Sequence, residues 1–80
     1  IGSKALAEIY QYDLKLLDLE SEIEQAIANL TSSLGKDDEM EAIRHLISIS
    51  QRCLDTYEKR REAVMNSSEE SSTIMPSGVS

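Results

Sequence analysis

The chain has no tryptophan and no phenylalanine, and its aromatic content is three tyrosines, 4% of 80 residues. That is too little aromatic bulk for the deep, enclosed pocket that small-molecule catalysis usually occupies. A single cysteine, Cys53, cannot close an internal disulfide, so nothing calls for an oxidising compartment and a cytoplasmic setting is expected. Long apolar runs are missing too. The longest stretch without a charge, residues 25–35, is about half a membrane span and contains Asn29, Thr31, Ser32 and Ser33. Positive charge is scarce: eight bases against fifteen acids leave a net charge of −7, a balance that repels phosphate backbones and anionic lipid surfaces. The start lacks the basic-then-apolar order of a secretory signal, and Ile1 in place of Met reads as a processed or excised piece.

Breakers are as rare as aromatics. Gly2, Gly35, Pro76 and Gly78 are the only glycines and proline, and they leave two long uninterrupted stretches. In the first, Ala5, Ile9, Tyr12, Leu16, Leu19, Ile23, Ile27, Leu30 and Leu34 recur at steps of three and four, which predicts a helix over about 3–34 with one apolar stripe. Ser3 is its expected N-cap, and Gly35 sits where a left-handed C-terminal residue is expected. In the second, Asp37, Asp38 and Glu39 suit a helix amino terminus. Met40, Ile43, Leu46, Ile47, Cys53, Leu54, Tyr57, Val64 and Met65 form its apolar face, interrupted at Ser50 and Arg61, and predict a helix over about 37–65.

A turn of only residues 35–36 folds the helices back on each other. The expected fold is therefore all-α, an antiparallel two-helix hairpin of coiled-coil type over residues 1–65. Its expected register sets Ile27 opposite Ile43, Leu16 opposite Leu54 and Tyr12 opposite Tyr57, and brings Glu8 and Asp13 near Lys59, Arg60 and Arg61. Residues 66–80 are rich in Ser and Glu and are expected to form a disordered tail, with too little apolar surface to offset an ordering cost of ~1–2 kcal/mol per residue.

Two helices alone make a marginal core, and chains of this size without disulfide or metal usually need a partner or a second copy to complete a helical bundle. The first helix shows where. Leu6, Tyr10, Leu14 and Leu17 lie one turn apart, rotated roughly 100–150° from the hairpin stripe, and are the candidate protein-binding residues. Ala42 and Ile49 on the second helix read as a smaller extension of that surface. Glu8, Asp13, Asp18 and Glu24 are expected to form an acidic rim around it.

Chemical motifs do not emerge. His45 and Cys53 are eight residues apart on one helix, about 12 Å along its axis and on different faces, too far for a nucleophile and its base. His45 reads as a solvated surface residue and Cys53 as a small buried hydrophobe. A Glu-x-x-His metal pattern would need an acid at position 42, where Ala stands; Asp38, Glu41 and His45 could at most hold a surface ion. No phosphate loop, zinc spacing or Gly-x-Ser-x-Gly is present, so no cofactor, metal, small-molecule substrate or catalytic activity is expected. Lys59, Arg60 and Arg61 are explained by the helix carboxyl end and the opposing acids rather than by a nucleic-acid site.

In length, hairpin form and acidity, the first 65 residues resemble small helical-hairpin adaptors and chaperone subunits of protein-secretion systems. The resemblance implies a non-enzymatic role in which an apolar helix face is laid against a partner protein. The expected partner is another helical protein or a second copy of the chain. A homodimeric four-helix scaffold is the alternative, and a nucleic-acid-binding hairpin dimer is a more distant one.

Overall fold

A computed structural model describes the backbone of residues 2–74 and the side chains of residues 2–67. It consists of two helices, α1 (Ser3–Ser33) and α2 (Glu39–Ile74), packed against each other as an antiparallel hairpin. The described chain measures 61 × 24 × 12 Å along its principal axes, a flat rod one helix thick.

The seam between the helices follows a strict alternation of three and four. In α1 it runs through Ala5, Ile9, Tyr12, Leu16, Leu19, Ile23, Ala26, Leu30 and Ser33, and in α2 through Glu39, Ala42, Leu46, Ile49, Cys53, Thr56, Arg60, Ala63 and Ser67; each is buried or half-buried. This is a 3.5-residue repeat, the a/d pattern of a left-handed coiled coil, in which slight underwinding keeps one seam facing the partner helix. Ala5, Tyr12, Leu19, Ala26 and Ser33 take the d positions of α1, and Ala42, Ile49, Thr56 and Ala63 those of α2. Leu16, Leu19, Ala26, Ile49 and Cys53 form the central cluster, with Ile23 and Leu46 packed against it.

This seam corrects the expected apolar stripes. Following the larger side chains at a 3.6-residue period leads from Ile23 to Ile27 and Leu34, whereas the coiled coil turns Ala26 and Ser33 inward and leaves Ile27 and Leu34 exposed. The shift is larger in α2. Ala42 and Ile49, expected at the margin, are among its most buried residues, while Met40, Ile47, Leu54, Tyr57 and Met65 are exposed. Leu54 and Tyr57 therefore do not pair with Leu16 and Tyr12. Among the described residues one ion pair crosses between the helices, Arg60 with Asp13, and it joins two groups expected to meet. It sets Leu19 level with Cys53, Ile23 with Ile49 and Ala26 with Leu46.

Two hydroxyls within the seam are satisfied on their own helix. Thr56 Oγ1 donates to the Arg52 carbonyl at 2.9 Å and Ser67 Oγ to the Ala63 carbonyl at 3.1 Å, so neither hydroxyl needs a partner across the interface. They lie toward the open end, where Arg60 also enters the seam. The apolar part of the core is concentrated between the middle and the turn.

The ends of the helices differ from expectation by a few residues. Gly2 rather than Ser3 occupies the N-cap of α1 and supplies no side-chain bond. The connection spans residues 34–38: Gly35 has φ of 76°, a conformation that side-chain-bearing L residues rarely adopt, and its N–H donates to Glu39 Oε1 at 3.2 Å. Lys36 N–H donates to the Ser33 carbonyl at 2.9 Å, closing the last turn of α1. At the other end α2 continues nine residues past the expected stop at 65, so residues 66–74 of the expected tail are helical. Elongating an existing helix avoids the nucleation cost, and no Gly or Pro intervenes before Pro76. The remainder of the expected disordered tail, residues 75–80, lies outside the described residues.

Because Ile49 is 1% exposed, Ile49→Ala is expected to cost about 2–5 kcal/mol in urea denaturation followed by circular dichroism, whereas Ser48→Ala on the polar side should stay within about 0.5 kcal/mol.

Candidate protein-binding surface

In an antiparallel pair of helices the e positions of both flank the seam on one side and the g positions flank it on the other. The two sides of this hairpin differ sharply. On the g side, every g and c position between residues 3 and 67 is polar or charged, including Glu8, Lys15, Glu22 and Asn29 on α1 and His45, Arg52, Lys59 and Asn66 on α2.

The e side is apolar. Leu6 and Ile27 stand at e positions of α1 and Tyr10 and Leu17 at b, and Leu34 follows at the C-cap. Tyr57 stands at an e position of α2, and Met40, Ile47 and Leu54 at b. All are exposed, from 48% for Tyr57 to 62% for Leu17. Ile43 and Val64, also at e, are half-buried at the edge of the seam. Leu14 and Met65 take the f positions next to this strip and are exposed as well. The four residues singled out from the sequence, Leu6, Tyr10, Leu14 and Leu17, are thus all exposed on or beside one face.

Sequence reasoning missed the other half of this face. Ile47, Leu54 and Tyr57, expected in the hairpin contact, stand exposed on this face of α2 instead, Leu54 and Tyr57 near the level of Leu17. The signal was present in the regular spacing of Ala42, Leu46, Ile49, Cys53 and Thr56: reading that alternation as the seam places Ile43, Ile47, Leu54 and Tyr57 one residue further round the helix. Together the two helices present eleven large exposed apolar side chains, far beyond the scattered single residues normal on a surface.

Charges interrupt the face at two levels. Glu20 and Glu24 sit at e and b positions in the middle of α1, and Asp13, Arg60 and Arg61 lie nearer the open end. Arg60 Nε donates to Asp13 Oδ1 from partly exposed positions, an ion pair worth about 0–1 kcal/mol. Of the expected acidic rim, Asp13 is engaged by this pair, Glu24 borders the apolar face, and Glu8 and Asp18 lie on the polar side. In the basic cluster Lys59 pairs with Asp55 at 3.3 Å and Arg60 with Asp13, so two of its three cations already have partners within the chain.

The residues considered for chemistry are separated. Cys53 is buried in the seam, whereas His45 is exposed on the polar side. Asn29, Asp38, Glu41, Ala42, Arg44 and His45 line a shallow hollow of about 490 Å³ near the turn. This brings the expected ion-holding trio to one place, with the Arg44 cation among them. Among the described residues no group of three or more His, Cys, Asp or Glu is arranged to hold a metal ion, and no helix is long and apolar enough to cross a membrane.

No family model matches this chain, and neither the curated proteins nor the solved structures provide a match. A double-mutant cycle with Asp13→Asn and Arg60→Gln is expected to give a coupling of about 0.2–1 kcal/mol that shrinks toward zero near ~1 M salt.

Proposed function

We propose that this chain is a small, non-enzymatic protein-interaction module that works by burying its e/b face against the helices of another polypeptide. The observation that carries the reading is the asymmetry of the hairpin. One side is polar at every g and c position, and the other carries Leu6, Tyr10, Leu17, Ile27, Ile47, Leu54 and Tyr57 in a strip spanning both helices. A two-helix layer with one apolar side is half of a helical bundle, and covering that side is the commonest way to complete it.

Affinity would come from burial. A Leu, Ile or Tyr taken from half exposed to fully covered contributes on the order of 1 kcal/mol, so a partner covering most of this strip gains several kcal/mol even after the cost of association. Specificity would come from the charges set into the strip, since a partner must offer a base near Glu20 and Glu24 and an acid or polar group near Arg61.

The test is Leu17→Asp combined with Leu54→Asp, one substitution on each helix. Far-UV circular dichroism should remain helical, while association and, for any free chain, the fluorescence of an apolar dye on the face should fall to background. Loss of helicity at every chain concentration would instead assign these side chains to the monomer's own core and remove the docking reading.

A further inference from the structure

We propose that the occupant of the apolar face is a second copy of this chain, laid face to face and antiparallel across a two-fold axis that crosses the hairpin near Leu17 on α1 and between Leu54 and Tyr57 on α2. The inference rests on the docking-face reading above and names the partner.

Three observations point to self-association. The first is extent: one broad side of a rod 61 Å long and 24 Å wide offers on the order of 1,000 Å² per copy, above the ~800 Å² per partner of a standard interface.

The second is charge. The chain carries −7, but the face itself carries both signs, with Asp13, Glu20 and Glu24 set against Arg60 and Arg61. Most of the acid excess sits elsewhere, at the Asp37–Asp38–Glu39 turn, on the polar side and at Glu69 and Glu70 of the sequence. A face of mixed charge suits a copy of itself better than it suits a strongly basic partner.

The third is the placement of residues along the axis. At 1.5 Å per residue, and with the helices in the Asp13–Arg60 register, the Glu20/Glu24 level and the Arg61 level each lie about 8 Å from the proposed axis, on opposite sides. The two-fold therefore brings each copy's Glu20/Glu24 level, on α1, to the level of the partner's Asp13–Arg60 pair and Arg61, with the partner's Arg61 one helix across from the glutamates. A parallel pairing would stack four glutamates at one level with no base among them. The same operation sets Leu17 against the partner's Leu17 and Leu54 against the partner's Tyr57. Leu6 and Ile27 lie about 16 Å from the axis on opposite sides, and Val64 and Ile47 about 13 Å, so each member of these pairs falls level with the other in the second copy. This reciprocity is what an isologous two-fold interface requires.

Sedimentation of the wild-type chain from micromolar to near-millimolar concentration is expected to give a dimer of twice 8.9 kDa. Glu20→Arg with Glu24→Arg should weaken dimerisation by about tenfold or more by opposing the partner's arginines, and adding Arg61→Glu, which leaves the Asp13–Arg60 pair in place, should restore it to within a few-fold of wild type. Orientation is read separately by mixing chains bearing Leu6→Cys with chains bearing Ile27→Cys: the mixed disulfide is expected to exceed both like-with-like products. Failure of the charge rescue in helical variants, or preferential Leu6→Cys self-linkage, overturns the antiparallel copy. A wild-type chain that stays monomeric throughout also overturns it. If that monomer binds an apolar dye that Leu17→Asp with Leu54→Asp removes, the docking face stands and a different protein covers it; if no dye binds, both readings fall.

Discussion

The 3.5-residue repeat of the seam is the constraint on which everything else in this molecule depends. With two helices there is only one interface, so the residues at a and d decide at once what is buried, which way each helix is rotated and what is left outside. The seam of α2 is built from Ala42, Leu46, Ile49, Cys53, Thr56 and Ala63, mostly small or medium side chains. Small residues let the helices approach closely, and they leave much of the chain's aliphatic and aromatic bulk on the e and b positions. The apolar face follows from how that one seam is filled.

The division of labour between the two sides then explains the odd composition. The chain has 40% apolar residues, yet among the described residues six hydrophobics are buried while eleven large apolar side chains stand exposed. Such an arrangement costs solubility unless something offsets it. The polar side, the acidic turn and the net charge of −7 supply repulsion between chains everywhere except where the apolar strip lies. Charge in this protein acts as a guide to where contact is permitted, while its few ion pairs add little to stability.

Much of the architecture was legible in the residue order. The absence of breakers between Gly2 and Gly35 and again between Gly35 and Pro76, with apolar steps of three and four, is enough to specify two helices, and Gly35 marks the reversal. The meeting of Asp13 with Arg60 was legible too. What could not be read by size alone was rotation. Ile27 outweighs Ala26 in apolar area, as Leu54 outweighs Thr56, so a reading by bulk places the larger residue inside. Packing between two helices selects the residue with the correct spacing instead. The helix beyond Met65 escaped for a related reason: Ser and Glu are poor core formers but tolerable helix formers once a helix is already running.

The seam is not uniform along its length. Between the turn and the middle it is closed by Leu19, Ala26, Leu46, Ile49 and Cys53, whereas toward the open end it admits Thr56, Arg60 and Ser67. Contacts near Gly35 are also the ones that join residues closest in sequence, so they close the shortest loops. The hairpin is therefore built like a zip with its strong teeth at the hinge. It closes from the turn outward and reopens from the far end inward, so amide protons at the open end of the paired helices exchange with water long before those beside Leu19 and Ile49 do.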